Sequence, residues 1–129
     1  MAYNDSRIFA FEFGCDAVPV DTEFIWPGFA PGGSDALEVR LVAAGPCRLV
    51  NAYYTALIVP GGIVVDTYTF YIDGVTSGES FDVGPAAANA TYTGALDIAA
   101  GEGLSIYFST TGATAADDIT INCVFQRFQ

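Results

Sequence analysis

Apolar and polar residues alternate with a period of two along most of this chain, most clearly between Thr67 and Phe108. Tyr68, Phe70 and Ile72 fall on one side of that stretch and Thr67, Thr69 and Tyr71 on the other, which is a strand with two unlike faces. Asp73-Gly74 follows at once. Both residue types tolerate the positive φ of the primed turns that join hairpin strands, so a second strand around Ser80 to Val83 is expected to fold back on the first. Leu96 and Ile98 precede the break Ala99-Ala100-Gly101-Glu102-Gly103, with Leu104, Ile106 and Phe108 beyond it. That arrangement predicts a second hairpin.

The same period recurs on either side. Ile8 to Phe13 sets Phe9, Phe11 and Phe13 against Ile8, Ala10 and Glu12, a strand with an aromatic core side that Gly14 is expected to end. Cys15 to Glu23 reads as a loop or short edge strand because of Pro19. Phe24 to Gly33 is apolar yet full of breakers, which predicts a loop. Two readings of Phe24, Trp26 and Phe29 stay open: they fold under that loop to plug one end of the sheets, or they anchor another subunit, as interface cores are rich in such side chains. From Ala36, Leu37, Val39 and Leu41 oppose Glu38 and Arg40. Arg48 to Val59 is a long strand without a clean polar face, as expected of a central strand covered on both sides or lying in a subunit contact. Ser109 to Asp118 is a polar loop, and Ile119, Ile121, Cys123 and Phe125 mark a last strand.

About eight to ten strands at intervals of about 8–12 residues, with no helical period, predict an all-β, antiparallel β-sandwich. Two strongly apolar terminal strands need to pair inside the sheets, and a jelly roll brings the chain back to its starting edge. The 129 residues make a single domain, 1–129, without repeat or linker. A domain of this size buries roughly two-thirds of its unfolded surface, enough for a core without staples.

Charge narrows the partners. Fifteen acidic residues against four arginines, with no Lys and no His, leave a net charge of −11 that repels phosphates, so nucleic-acid binding is not expected. The acidity serves solubility and guards strand edges, or it complements a basic partner. No apolar run approaches the roughly 20 residues that cross a bilayer, so no membrane association is expected, and the first residues lack the pattern of a secretory signal. Cys15, Cys47 and Cys123 are too few and too widely spaced for a disulfide framework or a zinc motif. Buried free thiols are expected, one opportunistic pair being the alternative.

The residue inventory also limits chemistry. Without His, neither a Ser-His-Asp nor a Cys-His arrangement can form in one chain, and without Lys there is no amine nucleophile; no catalytic residue and no cofactor are expected. Asp16, Asp21 and Glu23, or Asp117 and Asp118, are the oxygen ligands available to Ca²⁺. Neither set has the spacing of an EF-hand, so solvated acidic loops are the expectation and no metal is assigned.

The order Tyr68-Thr69-Phe70-Tyr71-Ile72-Asp73-Gly74, a strand, and then Leu96-Asp97-Ile98-Ala99-Ala100-Gly101-Glu102-Gly103-Leu104-Ser105-Ile106 resembles jelly-roll domains of tailed-phage virion proteins. Asp73 stands where that pattern has Asn, and Glu102 where it has Asp; both keep the turn chemistry. The similarity covers Pro60 to Ser109. It implies a non-enzymatic virion surface module, typically a homotrimer made in the host cytoplasm, that decorates and cements a capsid by contact with the major capsid protein. A tail- or head-fibre module that binds a receptor or carbohydrate is the alternative. For the first role the expected contacts are Phe9, Phe24, Trp26 and Phe29; for the second, Trp26, Tyr53, Tyr54 and Tyr107 would stack on sugar rings.

Overall fold

A computed structural model describes residues 7–30 and 34–128, with Phe29 and Ala30 as backbone only. Ten strands form two sheets: β1 (Ile8–Cys15), β2 (Glu23–Ile25), β3 (Gly28–Ala30), β4 (Leu41–Val42), β5 (Cys47–Ile58), β6 (Asp66–Ile72), β7 (Val75–Val83), β8 (Asn89–Ile98), β9 (Gly103–Thr110) and β10 (Asp117–Arg127). One sheet has the order β3-β1-β10-β5-β8. The other has β2-β9-β6-β7, with β4 added to β9. All pairs are antiparallel except β1 with β3.

The pairs β1·β10, β2·β9, β5·β8 and β6·β7 are nested in sequence, so the chain is a long two-stranded ribbon whose tip is the Asp73-Gly74 turn. Rolling the ribbon adds the contacts β10·β5 and β6·β9, and the result is a jelly-roll sandwich. The terminal strands meet over eight residue pairs, from Ile8↔Gln126 to Cys15↔Ile119. Asp73 and Gly74 both have positive φ, 49° and 79°, as the turn requires.

Between the sheets lies one apolar core. Phe13, Leu49, Tyr54, Tyr68, Phe70, Ile106, Phe108, Ile119, Ile121 and Phe125 are all buried, and Tyr68 stacks on Phe81 with centroids 5.3 Å apart. The three cysteines are buried free thiols. Burial, helped by the nearby carboxylates of Asp117 and Asp16, pushes the Cys15 thiol up to about 11, and burial raises Cys123 further, so both behave as small apolar groups.

Several sequence expectations change. Leu96–Ile98 and Leu104–Phe108 do not form a hairpin: β8 pairs with β5 and β9 with β6, so the 99–102 connection crosses between the sheets. Gly14 does not end β1, which runs on through Cys15. The apolar segment expected as a loop carries two short strands, β2 and β3, one on each sheet. Between Ala36 and Leu41 the expected faces hold only in part: Leu37 is 64% exposed and Glu38 turns in over Ser105, while Leu41 packs against the core and Arg40 faces outward. Along β5 a bulge between Leu49 and Asn51 moves the inward positions from Cys47 and Leu49 to Ala52 and Tyr54, which is why the strand shows no clean polar face in the sequence. Its outer side chains reach solvent in this chain, Tyr53 at 47% and Leu57 at 77% exposure.

Candidate partner surfaces

The strand directions give the sandwich two distinct ends. At one, the loop end, the 16–22, 59–65, 84–88 and 111–116 connections meet. Backbone bonds tie them together: Ala86 N donates to Pro60 O at 3.3 Å, and Thr111 N donates to Val65 O at 3.1 Å. This end displays Val18, Val20, Leu57, Ile58 and Ile63, the last 91% exposed. Asp16, Asp21, Glu23, Asp117 and Asp118 surround them, and no arginine lies here.

Those carboxylates hold turns. Asp21 Oδ1 accepts from Thr110 N at 3.0 Å, Glu23 Oε1 from Ser34 Oγ at 2.9 Å, and Asp117 Oδ1 from Asp118 N at 2.7 Å. No three metal-ligating side chains converge among the described residues. Just beneath lies a polar cluster inside the core. Asp66 is fully buried, and its Oδ2 accepts from Thr114 Oγ1 at 2.7 Å. Among the described residues neither its Oδ1 nor the hydroxyls of Tyr54 and Tyr68 have a hydrogen-bond partner, and the two tyrosine rings lie 5.3 Å apart between centroids. Burial pushes Tyr54 up to about 12 and raises Tyr68 well above its usual value.

The opposite end is built differently. All four arginines belong to it: Arg7 ahead of β1, Arg40 ahead of β4, Arg48 at the start of β5 and Arg127 at the end of β10. Arg48 donates to Asp97 at 2.6 Å, which holds that carboxylate below its usual range. Arg40 donates to Glu38 at 2.7 Å and lies across Gly103, where a Cβ would come within 2.8 Å of the arginine stem. A cleft of about 460 Å³ opens between the sheets here, lined by Phe9, Leu41, Cys47, Ile98, Leu104 and Phe125 among others.

A third feature covers the outer face of the β2-β9-β6-β7 sheet. Tyr71 and Tyr107 stack with centroids 5.1 Å apart, and Phe24 meets both edge-on at 5.7 and 5.3 Å. Ser105 in the same sheet is buried because Glu38 closes over it, accepting its hydroxyl at 2.5 Å.

The four contact residues expected from the sequence do not form one surface. Phe9 stacks on Phe125 at the cleft, with centroids 4.9 Å apart. Phe24 belongs to the outer aromatic cluster. Trp26 is half-buried where the chain passes from one sheet to the other, its Nε1 donating to Leu37 O at 2.8 Å. The Phe29 side chain lies outside the described residues. Among the expected sugar-stacking tyrosines, Tyr54 is core and Tyr53 is exposed, on the outer face of the other sheet from Tyr107. Sequence reasoning does not find the Tyr71 cluster or the loop-end apolar group: alternation gives Tyr71 a face but not its cross-strand neighbours, and Leu57 and Ile58 sit in the long Arg48 to Val59 strand, whose pattern does not say where that strand leaves the sheet. No family model and no curated protein matches this chain.

Proposed function

We propose that this protein is an adhesive module of a virion surface, a decoration or cement protein that lies on a capsid shell and performs no chemistry. The observation that carries this reading is the loop end. Five large apolar side chains stand in solvent at that end, Ile63 91% exposed, and grouped exposure of that kind marks a surface meant to be covered. The surrounding carboxylates favour a basic shell surface, and the net charge of −11 would keep decorated particles apart. A jelly roll hosts many functions, so the fold is only a platform for this surface. The resemblance supplies the major capsid protein as partner and a homotrimer as the assembly.

The test is co-sedimentation. Purified protein mixed with undecorated shells of its virion should pellet with them, and a Leu57→Asp, Ile63→Asp double variant should stay in the supernatant while keeping its thermal midpoint, since both positions are exposed. A wild-type protein that ignores the shells would end the proposal. Light scattering in the same buffer reads the assembly state. The Phe24, Tyr71 and Tyr107 cluster favours a second reading, a carbohydrate-binding fibre module in which sugar rings stack on that platform. A glycan array separates the two: binding abolished by Tyr107→Ala supports the platform, and a blank array removes it.

A further inference from the structure

We infer that a second copy of this chain packs face to face on the outer side of the β1-β10-β5-β8 sheet, with Tyr53 at the centre of the contact. The inference rests on the part of the reading above in which copies associate, and not on the shell.

Charge comes first. The solvent side of an antiparallel sheet is where an acidic chain ordinarily sets its carboxylates. This side is almost bare of them. Over the stretch in which all four strands are paired, its outward side chains include two of the chain's fifteen acids, Glu12 and Asp97. Arg48 neutralises Asp97 at one corner, 2.6 Å away. Glu38 and Asp82, by contrast, lie on the outer side of the other sheet, bonded to Ser105 and Thr67. Two chains of net charge −11 repel, so they meet most readily where they add least like charge.

Composition and extent agree. Strand register sets Tyr53 between Asn122 on β10 and Thr91 on β8, and its side chain is 47% exposed. Interface centres are enriched in tyrosine and depleted of charge. Asn and Thr side chains both donate and accept, so two identical faces can bond to each other. Asn51 Nδ2 donates to Thr93 Oγ1 at 3.1 Å, which holds one such amide in place. The shortest of the four strands, β1, has eight residues. Four strands of that length cover roughly 19 by 26 Å, about 500 Å² in projection before side-chain relief is counted. A standard interface takes about 800 Å² of accessible surface from each partner. Identical faces laid together close a two-fold pair, so the assembly has an even number of chains.

Light scattering and sedimentation equilibrium over a concentration series test this on the full chain. The mass should double reversibly as concentration rises. Asn122→Asp is isosteric and adds a carboxylate near the centre of each face, so it should weaken the pair by about tenfold or more. Tyr53→Ala removes the central anchor from both copies and should weaken it by about thirtyfold or more. Ser80→Asp places the same charge at an exposed position on the outer side of the other sheet and should leave the pair unchanged. Thermal midpoints of the dilute proteins show that all three variants fold. In methyl-resolved NMR, Ile8, Ala10 and Val124 should become shielded from a soluble gadolinium chelate at the concentrations where the mass doubles. A monomer at every concentration would overturn the inference, as would a pair indifferent to Asn122→Asp and Tyr53→Ala. A trimer would overturn it too, while leaving the shell reading intact, because pelleting with shells is scored separately. A glycan-array signal from a monomeric protein, lost in Tyr53→Ala, would give this face to a sugar instead.

Discussion

The two ends of this sandwich share a core and differ in charge and in how closely the sheets meet. The loop end is acidic, tied by backbone bonds and capped by uncovered aliphatic side chains, with a tightly enclosed polar cluster beneath it. The other end gathers every arginine and leaves the sheets parted around a cleft. One fold can thus carry an uncovered apolar end and an open cleft at once, because strand ends are set by the winding while their side chains are not.

Packing gives the largest expected contrast. Phe108→Ala, under the loop end, should cost about 3–5 kcal/mol in urea unfolding, since the buried ring leaves a closed void. Leu104→Ala, on the cleft floor, should cost only about 2–3 kcal/mol, because the new space opens into the cleft. Equal losses would mean that the cleft is closed in solution.

Alkaline pH is the next probe. A phenol whose value is raised on folding keeps its proton in the native state and gives it up more readily when unfolded. The Tyr54 contribution is therefore intact below pH 10 and fades as pH climbs toward about 12, an effect of about 3 kcal/mol; the Tyr68 contribution has the same sign. The thiols of Cys15 and Cys123 begin the decline above pH 9. A share of the phenolate absorbance that appears only with unfolding would fit, and Tyr54→Phe should reduce that share and flatten the upper part of the slope.

These two experiments concern a region that was partly legible in the sequence. Tyr68 and Phe70 announced a core face by alternation, and Asp73-Gly74 fixed the hairpin, since a two-residue turn sets register locally. Gly101, with φ of 85°, announced a reversal equally well, but a reversal does not say which sheet receives the next strand. That choice rests on long-range contacts: Gly101 N donates to Ala43 O and Ala43 N donates to Glu102 O, pinning the connection beside β4. The candidate surfaces were less readable still. Phe24, Tyr71 and Tyr107 lie on three strands far apart in sequence, and Phe9 and Arg127 meet only because the terminal strands pair.

Smaller effects refine the contrast. Thr114→Val removes the one donor on buried Asp66 and should cost about 1–2 kcal/mol, whereas Tyr68→Phe deletes a hydroxyl without a hydrogen bond and should be neutral or mildly stabilising. A loss from Tyr68→Phe would show that the hydroxyl is satisfied in solution. Smallest is the exposed Arg48–Asp97 pair. Because Asp97 is held low in the folded protein, the pair supports it above the ordinary carboxylate range and fades as pH falls through the lowered value, so Arg48→Gln should flatten the acid limb of the stability profile slightly.

The nested ribbon also dictates how the chain can assemble. Among the described residues only β6 and β7 pair as consecutive strands, across two residues, and every other partnership joins segments separated by at least one intervening strand. Loop closure is cheapest at that tip, so zippering should start at Asp73-Gly74 and travel outward, the two ends of the polypeptide being sewn together last. Gly74→Ala, at a backbone angle that L-residues resist, is then chiefly a kinetic lesion that slows refolding more than it hastens unfolding.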